Sequence, residues 1–243
     1  MAAQVSATAT PACPSPAPRI VAHRGASFDA PENTLAALRL GFAQGADAGE
    51  CDVRLSADGH AVLMHDADTR RTTGVEREVA ATSLAELRAL GVATLEDALG
   101  CVPAGRGLLI EIKCGPEILP AVERALDEAR PGREGVVLMS FDRAVTTEAR
   151  RRFPALELHQ LSEWREGLGA DALVEEARAL GVQGLNLDRR FPIDAAFVAT
   201  VHAAGLRLCV WTVDEPELAR RLAAAGADLI TTNRPGWLRT FFA

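Results

Sequence analysis

The stretch ADGHAV, residues 57–62, decides which fold the sequence specifies. Its Asp58-Gly59 pair is a strong signal for a tight hairpin, and a tight hairpin joins only antiparallel neighbours. The apolar run that follows, AVLMH (61–65), is therefore expected to fold back along the preceding strand and to stay out of a parallel sheet. Of nine candidate strands, eight then remain for a parallel arrangement.

Short apolar runs alternate with helix-like segments along the whole chain. The helical segments carry apolar residues at three- and four-residue spacing, as at Leu35, Leu38 and Phe42. Such alternation predicts parallel strands with right-handed crossovers, and 243 residues suit a (β/α)8 TIM barrel with a short hairpin excursion after the second strand. The strand candidates are RIVAH (19–23), GECDV (49–53), AVLMH (61–65), LLIEIK (108–113), VVLMS (136–140), LELHQL (156–161), GLNLD (184–188), LRLCVWTV (206–213) and DLITT (228–232).

Local signals predict where several helices begin. Asn33, Ser83 with Glu86, and Asp214 with Glu217 are in positions typical of helix N-caps. An open doubly wound sheet is an alternative architecture at this point, although no glycine-rich phosphate loop follows the first strand.

Composition and charge exclude several classes of protein. The chain is 48% apolar and 24% charged, as in ordinary globular proteins, and no run approaches the ~18 apolar residues of a membrane span. A formal net charge of −7 argues against a broad nucleic-acid footprint. The five cysteines form no CxxC pair, which indicates reduced thiols and predicts a cytoplasmic protein.

Two segments differ in composition. Residues 1–18 contain four prolines and no charge, and they lack the features of a secretory signal, so they are predicted to be a flexible Pro/Ala-rich leader. Residues 19–243 contain no linker-like stretch and are predicted to form one barrel domain.

Charged and polar side chains collect at the ends of predicted strands. Glu50 and Asp52 are two residues apart, so both side chains point to the same face, and Glu111 and Lys113 repeat this pattern. In a barrel of this type, catalytic groups gather where the strands end. The candidate set comprises His23, Arg24, Glu50, Asp52, His65, Glu111 and Lys113; the remaining histidines, His60, His159 and His202, are predicted to be surface or structural residues.

The charges of this set indicate a substrate. Carboxylates of Glu50, Asp52 and Glu111 suit one hard divalent cation, Mg²⁺ or Ca²⁺, better than zinc. Such a cation together with an arginine and a lysine would neutralise three carboxylates and a phosphodiester. The two strand-end histidines are the natural acid and base.

An ordered set of motifs covers nearly the whole predicted barrel domain. The motifs are HRG at 23–25, PENT at 31–34, ExDV at 50–53, DG at 58–59, HD at 65–66, EIK at 111–113, WTV at 211–213 and GADLITTNRP at 226–235. Together they resemble the glycerophosphodiester phosphodiesterase family of phospholipase-C-like barrels, which implies a TIM barrel with an excursion after its second strand.

The resemblance also implies residue roles. Glu50, Asp52 and Glu111 would bind the metal, while His23 would be the general base and His65 the general acid. Four further residues would contact phosphate or substrate, namely Arg24, Lys113, Trp211 and Asn33. For Asn33 a helix N-cap is the alternative role, and for Trp211 simple filling of the barrel.

Two positions depart from the pattern of the family. Asp214 follows WTV where many members have Asn, and Asn233 lies in TNRP where TDxP is common. Neither residue is expected to touch the metal or the histidines, so any effect is expected on substrate preference.

The predicted function is metal-dependent hydrolysis of glycerophosphodiesters, such as glycerophosphocholine or glycerophosphoethanolamine, to sn-glycerol 3-phosphate and an alcohol. Attack by water and attack by the substrate's own 2-hydroxyl both remain open. A small-molecule substrate is expected, with no nucleic-acid partner and no stable membrane association, and the sequence does not indicate an oligomeric state. The alternatives are a lysophospholipase-D-like enzyme, a Schiff-base aldolase using Lys113, and a non-catalytic binding barrel.

Overall fold

Nine strands form one sheet in the computed structural model, which describes residues 17–129 and 135–242. The predicted leader therefore lies almost wholly outside the described residues. The strands are β1 (Arg19–Ala22), β2 (Ala48–Leu55), β3 (Ala61–Leu63), β4 (Gly107–Ile112), β5 (Val136–Ser140), β6 (Glu157–Ser162), β7 (Gly184–Asp188), β8 (Arg207–Trp211) and β9 (Leu229–Thr232).

Eight of these strands close into a parallel ring in the order β1-β2-β4-β5-β6-β7-β8-β9. The ring closes where β1 lies between β2 and β9, with Ala22 opposite both Gly49 and Thr232. The predicted TIM barrel is thereby confirmed, and the open doubly wound sheet is excluded.

The ninth strand, β3, pairs antiparallel with β2 outside the ring, as the hairpin signal predicted. Ser56 N donates to His60 O at 2.9 Å, which leaves a loop of Ala57, Asp58 and Gly59. Gly59 has a φ of +83°, the left-handed conformation that three-residue hairpin loops require near their end.

Helices surround the ring in chain order. The helices α5 to α9 alternate with strands, whereas the short α2 and α3 belong to the excursion after β3. The helices are α1 (Leu35–Ala43), α2 (Arg70–Thr73), α3 (Leu84–Ala89), α4 (Leu95–Leu99), α5 (Leu119–Glu128), α6 (Arg143–Arg152), α7 (Ala170–Leu180), α8 (Ala195–Ala203), α9 (Pro216–Ala225) and α10 (Pro235–Arg239). Within the two described ranges, the helices include none with the length and apolarity needed to cross a membrane.

Side-chain alternation sorts β2 into two layers. Cys51 and Val53 pack in the apolar layer between the ring and the helices, together with residues such as Leu38 of α1. Ala48 belongs to a smaller apolar cluster inside the ring. Glu50 and Asp52 share its side of the strand, so the predicted alternation brings both carboxylates to the barrel interior.

Two of the three predicted helix caps are wrong. Ser83 and Glu86 do form a capping box at the start of α3. At α1, however, the cap is Thr34, whose hydroxyl accepts from Ala37 N at 3.1 Å. At α9 the cap position is Glu215, because the Asp214 carboxylate bonds elsewhere.

Candidate active site

A cavity of about 180 Å³ opens where the strands of the ring end. Its wall is formed by strand-end side chains, in keeping with the position of active sites in this fold. It includes seven of the residues predicted from the sequence, namely His23, Arg24, Glu50, His65, Glu111, Lys113 and Trp211.

Three carboxylates meet at the floor of this cavity. Glu50 and Asp52 of β2 and Glu111 of β4 each place one oxygen within 4.8 Å of the others. Glu50 Oε1 and Asp52 Oδ1 are buried without a hydrogen-bond partner among the described residues. Because unpaired buried carboxylate oxygens are costly, this donor set fits a hard divalent cation, as predicted.

The pKa shifts of Glu50 and Glu111 point the same way. Burial and the nearby carboxylates raise the pKa of Glu50 well above its usual range. Burial, followed by the charge of Asp52, raises the pKa of Glu111 to about 7. A bound cation would favour the charged forms, so metal binding at this cluster should release protons.

Asn33 lies behind Asp52, outside the cavity wall. Its Nδ2 donates to Asp52 Oδ2 at 2.8 Å, and its Oδ1 accepts from Asp52 N at 3.0 Å. The residue has a φ of +54°, and its backbone N–H donates to Arg24 O at 3.0 Å. Asn33 therefore orients one carboxylate of the cluster and does not cap α1, while the substrate contact expected for it stays a prediction.

The loop after β1 brings Arg24 against the cluster. Gly25 has a φ of +82°, and a Cβ there would lie 2.3 Å from the carbonyl carbon of Ala37, so this loop packs directly on α1. Arg24 N donates to Glu50 Oε2 at 2.7 Å, and Arg24 Nε lies 3.0 Å from Asp52 Oδ2.

Lys113 lies just beyond the end of β4, beside the same carboxylates. Its Nζ is 2.6 Å from Glu111 Oε1 and 3.9 Å from Asp52 Oδ1. The ammonium also lies 5.7 Å from the centre of the Phe141 ring. Both predicted cations thus border the cavity next to the carboxylates.

His23 has a neutral partner. Its Nδ1 lies 2.7 Å from Oδ1 of Asn233, which follows β9. Burial, and then the positive charge of Arg24, lower the pKa of His23. The expectation that Asn233 does not touch a histidine is therefore wrong, because β9 lies next to β1 in the closed ring.

His65 has a charged partner. Its Nδ1 lies 2.7 Å from Asp66 Oδ1, and Arg71 of α2 donates to Asp66 Oδ2 at 2.5 Å. Arg71 also donates twice to Glu32 at 2.8 Å. The hydrogen bond from Arg71 is the main reason that the pKa of Asp66 is lowered to about 2.

Glu32 completes a chain of hydrogen bonds between Arg24 and His65, which both line the cavity. Its Oε1 accepts from Arg24 Nη1 at 2.9 Å, so Arg24, Glu32, Arg71, Asp66 and His65 are linked in sequence. The sequence analysis assigned no role to Glu32, Arg71 or Asp66. Glu32 and Asp66 lie inside motifs that were recognised, whereas nothing in the sequence marks Arg71.

Trp211 forms part of the far wall. Its Nε1 donates to Asn186 O at 3.1 Å, and its ring meets Phe141 edge-on at 5.7 Å. Phe141, Glu163 and Asn186 also line this wall but were not predicted. Phe141 and Glu163 directly follow β5 and β6, so the rule that found Lys113 could also have found them.

Comparisons with known proteins agree with this geometry. The model of the glycerophosphoryl diester phosphodiesterase family matches residues 23–237. The glycerophosphodiester phosphodiesterase of Caldanaerobacter subterraneus subsp. tengcongensis is 32% identical over 235 residues, which cover 89% of this chain and 94% of the relative. The glycerophosphodiester phosphodiesterase of Bacillus subtilis is 27% identical over 248 residues, covering 88% and 83%.

A solved structure extends the comparison to a ligand. The phosphodiesterase of Oleispira antarctica, in complex with the product sn-glycerol-3-phosphate, has a TM-score of 0.83 and 28% identity to this chain. The match covers 93% of this chain and 96% of that one. The predicted fold, the family and the enzyme class are confirmed: this chain belongs to the glycerophosphoryl diester phosphodiesterase family, whose members are phosphoric diester hydrolases.

Proposed function

We propose that this chain hydrolyses glycerophosphodiesters, such as glycerophosphocholine and glycerophosphoethanolamine, to sn-glycerol 3-phosphate and an alcohol. The observation that carries the proposal is one cavity bordered by a three-carboxylate cluster, two cations and two histidines. The product bound to the Oleispira antarctica relative supports the substrate class.

Glu50, Asp52 and Glu111 are proposed to hold one Mg²⁺ or Ca²⁺. The support is their all-oxygen donor set and the two unpartnered buried oxygens. When bound, such a cation polarises a phosphoryl oxygen and supplies several kcal/mol of transition-state stabilisation. Asn33 holds the Asp52 carboxylate in place for this purpose.

His23 is proposed as the general base. Its hydrogen-bond partner, the Asn233 amide, carries no charge, and burial lowers the pKa of the ring. Both features favour a neutral imidazole near pH 7, which can accept a proton from the attacking hydroxyl. General base catalysis of this kind typically contributes ~10²–10⁴-fold.

His65 is proposed as the general acid that protonates the departing alcohol. Its Nδ1 faces the Asp66 carboxylate, which Arg71 keeps ionised. The Asp66 carboxylate accepts a hydrogen bond from this nitrogen and orients the ring, which leaves the other ring nitrogen for the departing alcohol.

Arg24 and Lys113 are proposed to contact the phosphate, and Trp211 to form the wall against the substrate. Both cations already lie beside carboxylates, so an entering phosphodiester would meet a site in which opposite charges are closely balanced. We further propose a cytoplasmic enzyme, because all four cysteines in the described ranges are free thiols. The substrate is proposed to be a small molecule, as the product bound to the Oleispira antarctica relative suggests.

The test is release of sn-glycerol 3-phosphate from glycerophosphocholine and glycerophosphoethanolamine, measured with Mg²⁺, with Ca²⁺ and with EDTA. Turnover is expected with at least one cation and not with EDTA. Lysophosphatidylcholine serves as the comparison substrate, and its faster hydrolysis would support a lysolipid enzyme instead. A folded protein that releases no sn-glycerol 3-phosphate under any condition would overturn the proposal.

A further inference from the structure

We propose that Asp214 and Asn233 act together as a positioning pair that fixes the tautomer of His23. The pair holds the proton of the neutral ring on Nδ1 and leaves the lone pair on Nε2. This inference rests on the proposed role of His23 as general base.

The geometry begins at Asp214, in the segment after β8. Its Oδ1 accepts from Thr232 Oγ1 at 2.8 Å and from the backbone N of Asn233 at 2.9 Å. Its Oδ2 accepts from Asn233 Nδ2 at 2.6 Å. Three donors therefore hold the carboxylate, and one of them is a backbone amide that cannot reverse its direction.

The Asp214 carboxylate determines which way the Asn233 amide points. An ionised carboxylate only accepts hydrogen bonds, so the amide atom that faces Asp214 must be the nitrogen. The oxygen of Asn233 then faces His23 Nδ1 at 2.7 Å. Ser27 Oγ donates to the same oxygen at 2.8 Å.

The orientation of the amide determines the tautomer of His23. An amide oxygen can only accept, so the Nδ1 of His23 must carry a hydrogen. A neutral ring protonated on Nδ1 has its lone pair on Nε2. Rotating the amide by half a turn would set two oxygens against each other at Asp214 and would place an NH₂ group against His23 Nδ1.

The two departures from the family pattern now have one explanation. Asp214 and Asn233 are in contact, and the residues that the family resemblance leads one to expect at these positions are the same acid and amide in reverse order. With an amide at position 214 and a carboxylate at position 233, a carboxylate oxygen would accept from His23 Nδ1. The amide NH₂ at position 214 would donate to the same carboxylate. An exchange of both residues preserves the tautomer, whereas a change of one residue does not.

The experiment combines nitrogen-15 NMR of the histidine rings with steady-state kinetics on glycerophosphocholine. The variants are Asp214→Asn, Asn233→Ala and the double exchange Asp214→Asn/Asn233→Asp. Asp194→Asn is the matched control, because this carboxylate only caps α8 by accepting from Phe197 N at 2.8 Å. The His23 signals are assigned by their loss in His23→Gln.

In Asp214→Asn, the Asn233 amide is expected to rotate, moving the His23 proton to Nε2 and lowering kcat about 10²-fold with little change in KM. The double exchange is expected to restore the Nδ1 proton and part of the turnover, with the pH profile of kcat shifted upward because a carboxylate then faces His23. Asp194→Asn should change neither. If Asp214→Asn does not fold, Asn233→Ala replaces it, with a mixture of the two tautomers as the expected result.

An unchanged His23 tautomer in Asp214→Asn or Asn233→Ala would overturn the inference, as would a double exchange no faster than Asp214→Asn alone. The NMR result does not depend on turnover. If wild-type protein hydrolysed no glycerophosphodiester, the proposed function would fail while the nitrogen signals would still decide the role of the pair.

Discussion

The two histidines of the cavity differ in what supports them. His23 sits at the end of β1 and faces the neutral amide of Asn233, which is 210 residues away in the sequence. His65 sits beyond β3 in the excursion and faces the carboxylate of its own neighbour, Asp66. An arginine from α2 holds that carboxylate, whereas an aspartate after β8 holds the amide.

This difference suits one histidine to act as a general base and the other to act as a general acid. An amide oxygen orients a neutral ring without stabilising its charged form, which suits a base. An ionised carboxylate stabilises the charged ring, which suits an acid. Environment therefore distinguishes the two histidines.

The largest expected effect comes from removing each histidine in turn. His23→Ala and His65→Ala should each lower kcat on glycerophosphocholine by at least about 10²-fold without loss of folding. A substrate with a p-nitrophenol leaving group should restore much of the rate of His65→Ala, since that group departs without a proton. It should not restore His23→Ala.

His202→Ala is the control, because His202 is on α8 and bonds Asp228 on the outside of the barrel. Equal recovery of both cavity variants with the activated substrate would break the comparison. Recovery of His23→Ala alone would reverse the two roles.

A second expected effect concerns the metal ligands, whose affinity for the cation is not expected to depend on either histidine. Asn33→Ala should weaken divalent-metal affinity by about 10–100-fold, because Asp52 loses its orienting amide. Isothermal titration with Mg²⁺ and Ca²⁺ measures this.

The neighbouring Thr34→Ala is its matched control. It removes the cap of α1 and should cost about 0.5–2 kcal/mol of stability while leaving metal affinity unchanged. If the two variants had the same metal affinity, Asn33 would have no part in holding the ligand.

Removing the carboxylate beside His65 should have a moderate effect. Asp66→Ala is expected to lower kcat about 10-fold on glycerophosphocholine and to have little effect on the p-nitrophenol substrate, because only the first needs a protonated leaving group. Asp68→Ala, in the same loop, is the control, since Asp68 accepts from Arg70 N. Equal losses on both substrates would argue that Asp66 acts only through local structure.

The smallest expected effect is that of Arg71→Met, on the stability of the excursion. The hydrogen bond from Arg71 is the main cause that lowers the pKa of Asp66 to about 2. Burial raises the pKa of Glu32, but the hydrogen bonds and charges of Arg71 and Arg24 together lower it to about 2. Carboxylates with a lowered pKa stabilise the fold above about pH 4, and this contribution disappears as the pH falls towards 2.

Because Arg71 is 47% exposed, the loss at pH 7 should be below about 1 kcal/mol. Urea unfolding should show this difference from wild type at pH 7 and a smaller one at pH 3. Arg178→Met, which breaks an exposed pair with Glu175 on α7, is the control. Its kcat on glycerophosphocholine should change by less than twofold. A stability loss that grows in acid would contradict the direction of the pKa shifts.

Much of the fold could be predicted because its signals are local. Every predicted strand overlaps an observed one, and the Asp58-Gly59 turn correctly removed β3 from the ring. Two-residue spacing correctly placed Glu50 and Asp52 on one face of β2, since alternation is a property of any extended strand. The helix caps were less predictable, because Asn33 and Asp214 have side chains that could serve either a cap or a distant partner.

The sequence by itself determined the strands, the hairpin and the set of chemical groups at the strand ends, because turn chemistry and side-chain periodicity act between near neighbours. Only the tertiary structure decided what faces each group. Ring closure places β9 beside β1, so Asn233 reaches His23, and the folded excursion brings Arg71 to Glu32. Such contacts depend on the closure of the whole sheet, and no spacing along the chain encodes them.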